Sequence, residues 1–214
     1  MSERQTVIDH IVVTASDLDS GVAFVRERLG VEPGPGGEHP AMGTHNRLLR
    51  CGPDCYLEVI AANPQGSRPV QPRWFGLDQR EPDSAPSLSA WVVRSTNIHA
   101  QAAASAEPLG PVTPMQRSHL NWLITIPASG VAPLGGLAPA LIEWQTPERP
   151  VLSMPDHGLT LEALQLYHPQ PQRMLTLAAS LNLHAPLSVL PCTPDRPAGL
   201  RALIRTPQGL RELG

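Results

Sequence analysis

One order of elements narrows the fold more than anything else in the sequence. A strand, a helix and three further strands run from Ile8 to Ile60, and the same order returns farther along the chain. Val7–Thr14 (VIDHIVVT) is rich in β-branched residues and reads as a buried strand. Leu18, Val22, Val25 and Leu29 then fall at helical spacing behind Ser16, which as a capping residue can accept from the Asp19 amide. Gly30 supplies a left-handed C-terminal position and Pro33 ends the helix. Gly34, Gly36 and Gly37 stand among prolines in Val31–Met42, so a strand there is irregular, near an edge or a ligand. Asn46–Cys51 and Cys55–Ala61 read as a hairpin over Gly52-Pro53-Asp54. In its second strand Tyr56, Glu58 and Ile60 share one face, and Leu57 and Val59 share the other. The helix covers a single face, which puts Glu58 on the opposite side.

Asn63–Ser87, rich in Pro, Gln, Asp and Arg, reads as a linker with one apolar anchor, Trp74-Phe75-Gly76-Leu77. Strand character resumes at Leu88–Arg94. Asn97 can cap a helix reaching toward Leu109-Gly110, and strands follow at Val112–Arg117, Leu120–Ile126 and Ala140–Gln145. A Gly/Pro-rich connection, Ala128–Pro139, joins the last two. Shifting the first unit without gaps sets Val12 on Val92, Asp17 on Asn97, Leu29 on Leu109 and Gly30 on Gly110. A third start follows at Leu159–Tyr167, with a helical stripe at Met174, Leu177 and Leu181 and short strands to Leu213. The expected organisation is a βαβββ module over 1–63, a linker over 64–87, a second module over 88–147 and a partial or third module over 158–214, all in one compact domain.

A net charge of −3 gives no general attraction to nucleic acid or to acidic membranes. Every basic residue is an arginine, which reads as a genomic composition bias rather than a binding signature. No apolar run is long enough to span a bilayer, and the start MSERQTVIDH lacks the apolar block of a signal peptide, so a cytoplasmic protein is expected. The three cysteines, Cys51, Cys55 and Cys192, are too few and too odd in number for a disulfide framework.

Asp9-His10 in the first strand, Leu57-Glu58 in the fourth, and the opening IDHIVVTASDLDSGVAFVRERLGV together resemble the vicinal oxygen chelate superfamily. That superfamily includes glyoxalases, extradiol dioxygenases and bleomycin-resistance proteins. GGEHPAMGTHNRLLRCGPDCYLEVIAANP resembles its glyoxalase-like domain branch. The resemblance implies an α+β fold of tandem βαβββ modules forming a cup-shaped, partly open β-barrel, with helices on the outer face. The modules would pair within the chain or across a homodimer. It also implies a metal site in which His10 and Glu58 serve from the first module and Glu143 from the second. The remaining ligand place falls on Ala90, whose methyl group binds nothing. Imidazole and two carboxylates suit one divalent ion, Fe, Mn, Ni or Zn, with a position left for substrate. Glu143 would also be the proton shuttle. His39, Thr44, Asn46 and Asn121 would line the pocket and touch a small-molecule substrate.

Each of these residues has a plainer reading. His10 could be a hydrogen-bonded histidine beneath the cup, and the carboxylates could pair with Arg50 or Arg117. Trp74, Trp91, Trp122 and Trp144 read as core or module-interface residues. The expected function is a small-molecule enzyme of isomerase or lyase type. The alternative is a non-catalytic binder that sequesters a drug-like molecule without metal.

Overall fold

Val7–Thr14 forms strand β1, and every residue of it after Val7 is buried, as its β-branched run requires. The structure is a computed structural model describing residues 6–214. Residues 1–5, which the expected first module and the polar start include, lie outside the described residues. Helix α1 (Leu18–Leu29) follows, and its cap differs from the expected one by a residue. Asp17, not Ser16, accepts from the Ser20 amide at 2.8 Å, while Ser16 donates to the Pro82 carbonyl. Asp17 is the longer acceptor, with two oxygens that bind both the Ser20 amide and its hydroxyl. Gly30 closes the helix in the left-handed region at φ 73°, its amide bonded to the Arg26 carbonyl.

Strands β2 (Gly34–His39), β3 (Thr44–Arg50) and β4 (Tyr56–Ala62) form a meander that returns β4 beside β1 in parallel. The second half runs β5 (Ser87–Arg94), α2 (Ile98–Ala104), β6 (Val112–Arg117), β7 (Leu120–Thr125) and β8 (Ala140–Trp144), with β8 parallel to β5. Antiparallel pairing of β1 with β5 joins the halves into one eight-stranded sheet of order β2-β3-β4-β1-β5-β8-β7-β6. The two halves therefore pair within the chain. The sheet curls into a nearly closed barrel whose inner face is apolar apart from one polar cluster, with Val12, Ile60, Val92, Trp122 and Ile142 among its buried residues. The expected α+β cup with helices outside is the observed architecture.

After the short helix α3 (Pro150–Ser153), the chain forms β9 (Thr160–His168), α4 (Pro171–Ser180), β10 (Leu187–Pro191), β11 (Gly199–Thr206) and β12 (Gly209–Leu213). The element order matches the first two units, but the pairing does not. This sheet runs β10-β9-β11-β12, because α4 crosses directly to a parallel neighbour of β9 instead of leading into a returning meander. Its apolar face, with Leu164, Ala202 and Ile204, shares one buried cluster with Ile11, Val13, Trp91 and Val93 on the outer face of the first sheet. Among the described residues, no helix is long and apolar enough to cross a membrane.

Gly21 lies at the end of the first turn of α1 where that helix meets β4, and an added Cβ would stand 2.5 Å from Val59 Cγ1. Gly21→Ala should destabilise the protein by about 1–3 kcal/mol, despite the better helix propensity of alanine. Combining it with Val59→Ala should restore part of that loss relative to additivity. Urea unfolding of both single variants and the double variant checks this, and strict additivity would mean that the contact is not what excludes the side chain.

Candidate functional site

The cup face of β1 and β4 carries the polar groups. His10 and Glu58 are 4% and 5% exposed, and His10 Nε2 stands 3.6 Å from Glu58 Oε2. The other ring nitrogen, Nδ1, lies 2.8 Å from Asp9 Oδ1. Successive strand residues normally point to opposite faces. The register shift between Ile8 and His10 is a bulge that lets the Asp9 carboxylate reach its neighbour's ring. Asp9 is 1% exposed, and its Oδ2 accepts from Trp144 Nε1 at 3.0 Å and from Arg94 Nη1 at 3.4 Å. With the Nδ1 proton given to Asp9, Nε2 is the nitrogen presented to Glu58. The Tyr56 ring stacks on His10 with centroids 4.5 Å apart, and burial beside Asp9 and Glu58 holds its phenol well above the usual pKa.

Asn46 ties this pair to the other edge of the sheet. Its Nδ2 donates to Glu58 Oε1 at 2.5 Å, and its Oδ1 accepts from the Gly37 amide at 2.8 Å and from Arg117 Nη1 at 3.1 Å. Arg117 comes from β6, so its side chain spans the seam between the edge strands β2 and β6. The glycine-rich sequence of β2 has its reason here: a Cβ on Gly36 would lie 2.2 Å from the Asn46 carbonyl oxygen, and one on Gly37 would lie 2.8 Å from Arg117 Cδ. Arg117 Nη1 also approaches His39 Nε2 at 3.5 Å, and His39 Nδ1 bonds Thr44 Oγ1 at 3.1 Å. Burial, reinforced by the Arg117 guanidinium beside it, lowers the His39 pKa to about 3. His39 is therefore a neutral acceptor, held between Trp74 and Trp122.

The structure brings His10, Glu58, Asn46, His39 and Thr44 together, and it separates two other expected residues from them. Glu143 is not in the cup. Ala140, Ile142 and Trp144 carry the cup side of β8, so the strand period turns Glu143 outward, where Oε2 accepts from the Ile98 amide at 2.6 Å and Oε1 from Gln145. It caps α2 beside Asn97, which accepts from the Ala100 amide. Pairing shows which residue stands where a second-half carboxylate was expected. Glu58 pairs with Val12 of β1, and in β8 the residue that pairs with Val92 is Ala140. Asn121 is also on the outer side of its strand, because Leu120, Trp122 and Ile124 face inward; it is exposed and donates to the His119 carbonyl.

Further residues complete the site: Asp9 and Tyr56, which were given no role there, Arg117, expected only as a partner for the carboxylates, Trp144, expected as packing, and Trp74 and Phe75 from the expected linker. That linker enters the cup. Its 3₁₀ turn, Trp74–Gln79, seats Trp74 against His39 and leaves a cavity of about 30 Å³ above His10 and Glu58. A wider groove of about 700 Å³ shares Leu48 and Arg117 with that cavity and runs along α3 past Arg149 and Met154. The donor set does not fit a resident metal ion. His10 and Glu58 are suitable ligands, but Ala90 and Ala140 offer no donor atom, and no third His, Cys, Asp or Glu joins them among the described residues. Neither Arg50 nor Arg117 forms an ion pair with Glu58 among the described residues; Asn46 mediates the link to Arg117.

Residues 8–181 match the glyoxalase-like domain family. Among curated proteins none matches the chain. Of solved structures, a hypothetical protein from Staphylococcus aureus aligns over 86% of this chain and 87% of its own, at 11% identity and a TM-score of 0.56, a likeness of fold. A methylmalonyl-CoA epimerase from Mycobacterium tuberculosis aligns over 69% of this chain and 91% of its own, at 16% identity and a TM-score of 0.45.

The buried neutral His39 makes stability depend on pH in a definite direction. Unfolded, it titrates near 6.5; folded, near 3. As pH falls between those values the unfolded chain takes up a proton that the folded chain refuses, so stability drops by up to about 1.4 kcal/mol per pH unit. His39→Gln should start less stable at neutral pH and lose stability more slowly on acidification. Urea midpoints between about pH 7 and pH 4.5 read the difference, and parallel slopes for the two proteins would contradict a neutral buried imidazole.

Proposed function

We propose that this chain, which belongs to the glyoxalase-like domain family, is an enzyme that moves a proton on a small oxygenated molecule, with His10 and Glu58 as its acid–base pair. The observation that carries the reading is the buried sequence of groups Asp9, His10, Glu58, closed on a cavity that also meets Arg117. Asp9 orients the ring and opposes the charge of an imidazolium, so Nε2 can take a proton and return it. Glu58, fixed by Asn46, is the second carrier within reach of the same small volume.

The chemistry that suits this pair is removal of a proton from a carbon beside a carbonyl. The C–H electrons pass into an enolate and the proton passes to His10 Nε2 or Glu58; its return to the same carbon completes an epimerisation, and where that carbon bears a hydroxyl, transfer of the hydroxyl proton to the enolate oxygen and delivery of the first proton to the former carbonyl carbon complete an isomerisation. Charge on the enolate oxygen would face the Arg117 guanidinium. Members of the wider vicinal oxygen chelate superfamily often use a divalent metal, but the donors present here do not make such a site. The groove along α3 leaves room for a substrate larger than the cavity, with its reacting end at Leu48 and Arg117.

Proton exchange can be read directly, without knowing the physiological substrate. In D2O, NMR should show deuterium entering the α-carbon of small hydroxyketones or keto acids faster with protein than without. His10→Ala and Glu58→Gln should each slow that exchange by about 100-fold or more while the protein stays folded. Chelator should leave it unchanged. Exchange indifferent to both substitutions would defeat the reading and favour a non-catalytic binder. Loss of exchange on chelation, restored by one divalent ion, would return the metal to the mechanism.

A further inference from the structure

Arg117 stands where three spaces meet. It lines the cavity of about 30 Å³ over His10 and Glu58, the groove of about 700 Å³ along α3, and an open depression between β2 and β6. One buried water needs about 10–15 Å³, so the cavity takes only about two or three groups of that size. Its far side is shut by Trp74 and by Phe75, the latter held in a strained left-handed backbone at φ 56°. A molecule that reaches His10 therefore extends the other way, past Leu48 and Arg117, the two residues that cavity and groove share. The depression shares Arg117 with the cavity but not Leu48.

Arg117 reaches that junction with donors still free. Its Nη1 donates to Asn46 Oδ1 and approaches His39 Nε2, while Nε and Nη2 bond to none of the described residues and are not enclosed. Among the described residues no carboxylate pairs with it; the groove's other arginine, Arg149, is already paired with Asp54, and Glu148, the one carboxylate of the lining, is exposed. A guanidinium with open donors and no counter-ion is set to receive an oxyanion from outside the chain. One such group balances one charge, which suits a carboxylate rather than a phosphate dianion. Beyond Arg117 the groove presents apolar side chains, Leu48, Leu120, Met154 and Leu152, the last 59% exposed. Covering that surface is favourable in proportion to its apolar area.

We propose that the junction and the groove bind a monocarboxylate with an unbranched apolar chain. The carboxylate accepts from Arg117 Nε and Nη2, and the chain lies along α3 against Leu48, Leu120, Leu152 and Met154. The proton transfer read at His10 and Glu58 would then act on such acids that also carry a carbonyl, but binding does not rest on that reaction and would stand if it failed.

Calorimetric titration of the full chain with octanoate, butanoate and 1-octanol separates head from chain. Octanoate should bind saturably and at least about tenfold tighter than butanoate, since each methylene buried is worth about a fourfold gain. It should also bind at least about tenfold tighter than 1-octanol, the margin of a charge-assisted hydrogen bond. Leu152→Glu, at an exposed position, should weaken octanoate by about tenfold or more and butanoate far less. Arg117→Gln should erase the preference for octanoate over 1-octanol; if it does not fold, Arg117→Lys, which keeps the charge without the fork, should narrow it. His10→Ala should leave octanoate bound, so loss of proton exchange and loss of binding are read separately. No saturation by about 10 mM octanoate overturns the proposal. So does equal affinity for octanoate and butanoate, which would leave the groove empty, or octanoate binding unmoved by Leu152→Glu.

Discussion

The pairing of β1 with β5 is the constraint on which everything else depends. It sets His10 opposite Val92 and Val12 opposite Ala90 on the cup side, with Ile11 opposite Trp91 on the other. A slip of one residue would turn His10 outward and Ile11 into the cup. What forbids the slip is burial on both faces. The inner residues pack with Trp122 and Ile142, and the outer ones with the second sheet, where Leu164, Ala202 and Ile204 are wholly buried. The C-terminal sheet thus acts on the site without touching it, by making the outer face of β1 and β5 as costly to move as the inner one.

That pairing also explains why a site whose His10 and Glu58 lie on one half needs the other half. Trp144 of β8 and Arg94 of β5 supply the donors for Asp9 Oδ2, and Arg117 of β6 reaches Asn46 across the seam. A buried carboxylate with several donors is tolerable; one stripped of them is not. The polarity around His10 is therefore satisfied from strands distant in sequence, and it ties closure of the barrel to the geometry of His10 and Glu58.

This division marks what could be read in the sequence and what could not. Helix α1, its Gly30 terminus, the hairpin over Gly52–Asp54 and the inward face of Glu58 follow from periodicity and turn chemistry within a few residues. The neighbour relation of Asp9 to His10 depends on a bulge that no local pattern announces. Glu143 misled because Ile142-Glu143 matches Leu57-Glu58 as a dipeptide, whereas the register that matters is pairing with β5, which places Ala140 there. Asn121 was ambiguous for the same reason, since HLNWLITI alternates without saying which side is inner. The C-terminal strands were visible as strands, but nothing in their spacing distinguishes a returning meander from a direct crossover. Trp74 and Phe75 were recognisable as an anchor; that they anchor inside the cup is a fact about the space two alanines leave open.

That space is the clearest difference between the halves. A cup carrying donors at all four places would converge on one centre. Here the first half keeps His10 and Glu58, and the second has Ala90 and Ala140. Removing two long side chains from a closed interior leaves volume that must be packed or kept as a cavity, and unpacked apolar volume costs stability. The linker meets part of that demand with two aromatic rings, at the cost of a strained Phe75, and stops short of the rest. What remains is one small cavity over His10 and Glu58 and one larger chamber of about 210 Å³ beyond the Trp74 and Phe75 rings, lined by Ala90 and Ala140. Where the first half has two donors the second has two methyl groups, and the Trp74 and Phe75 rings part the interior into two spaces instead of one centre.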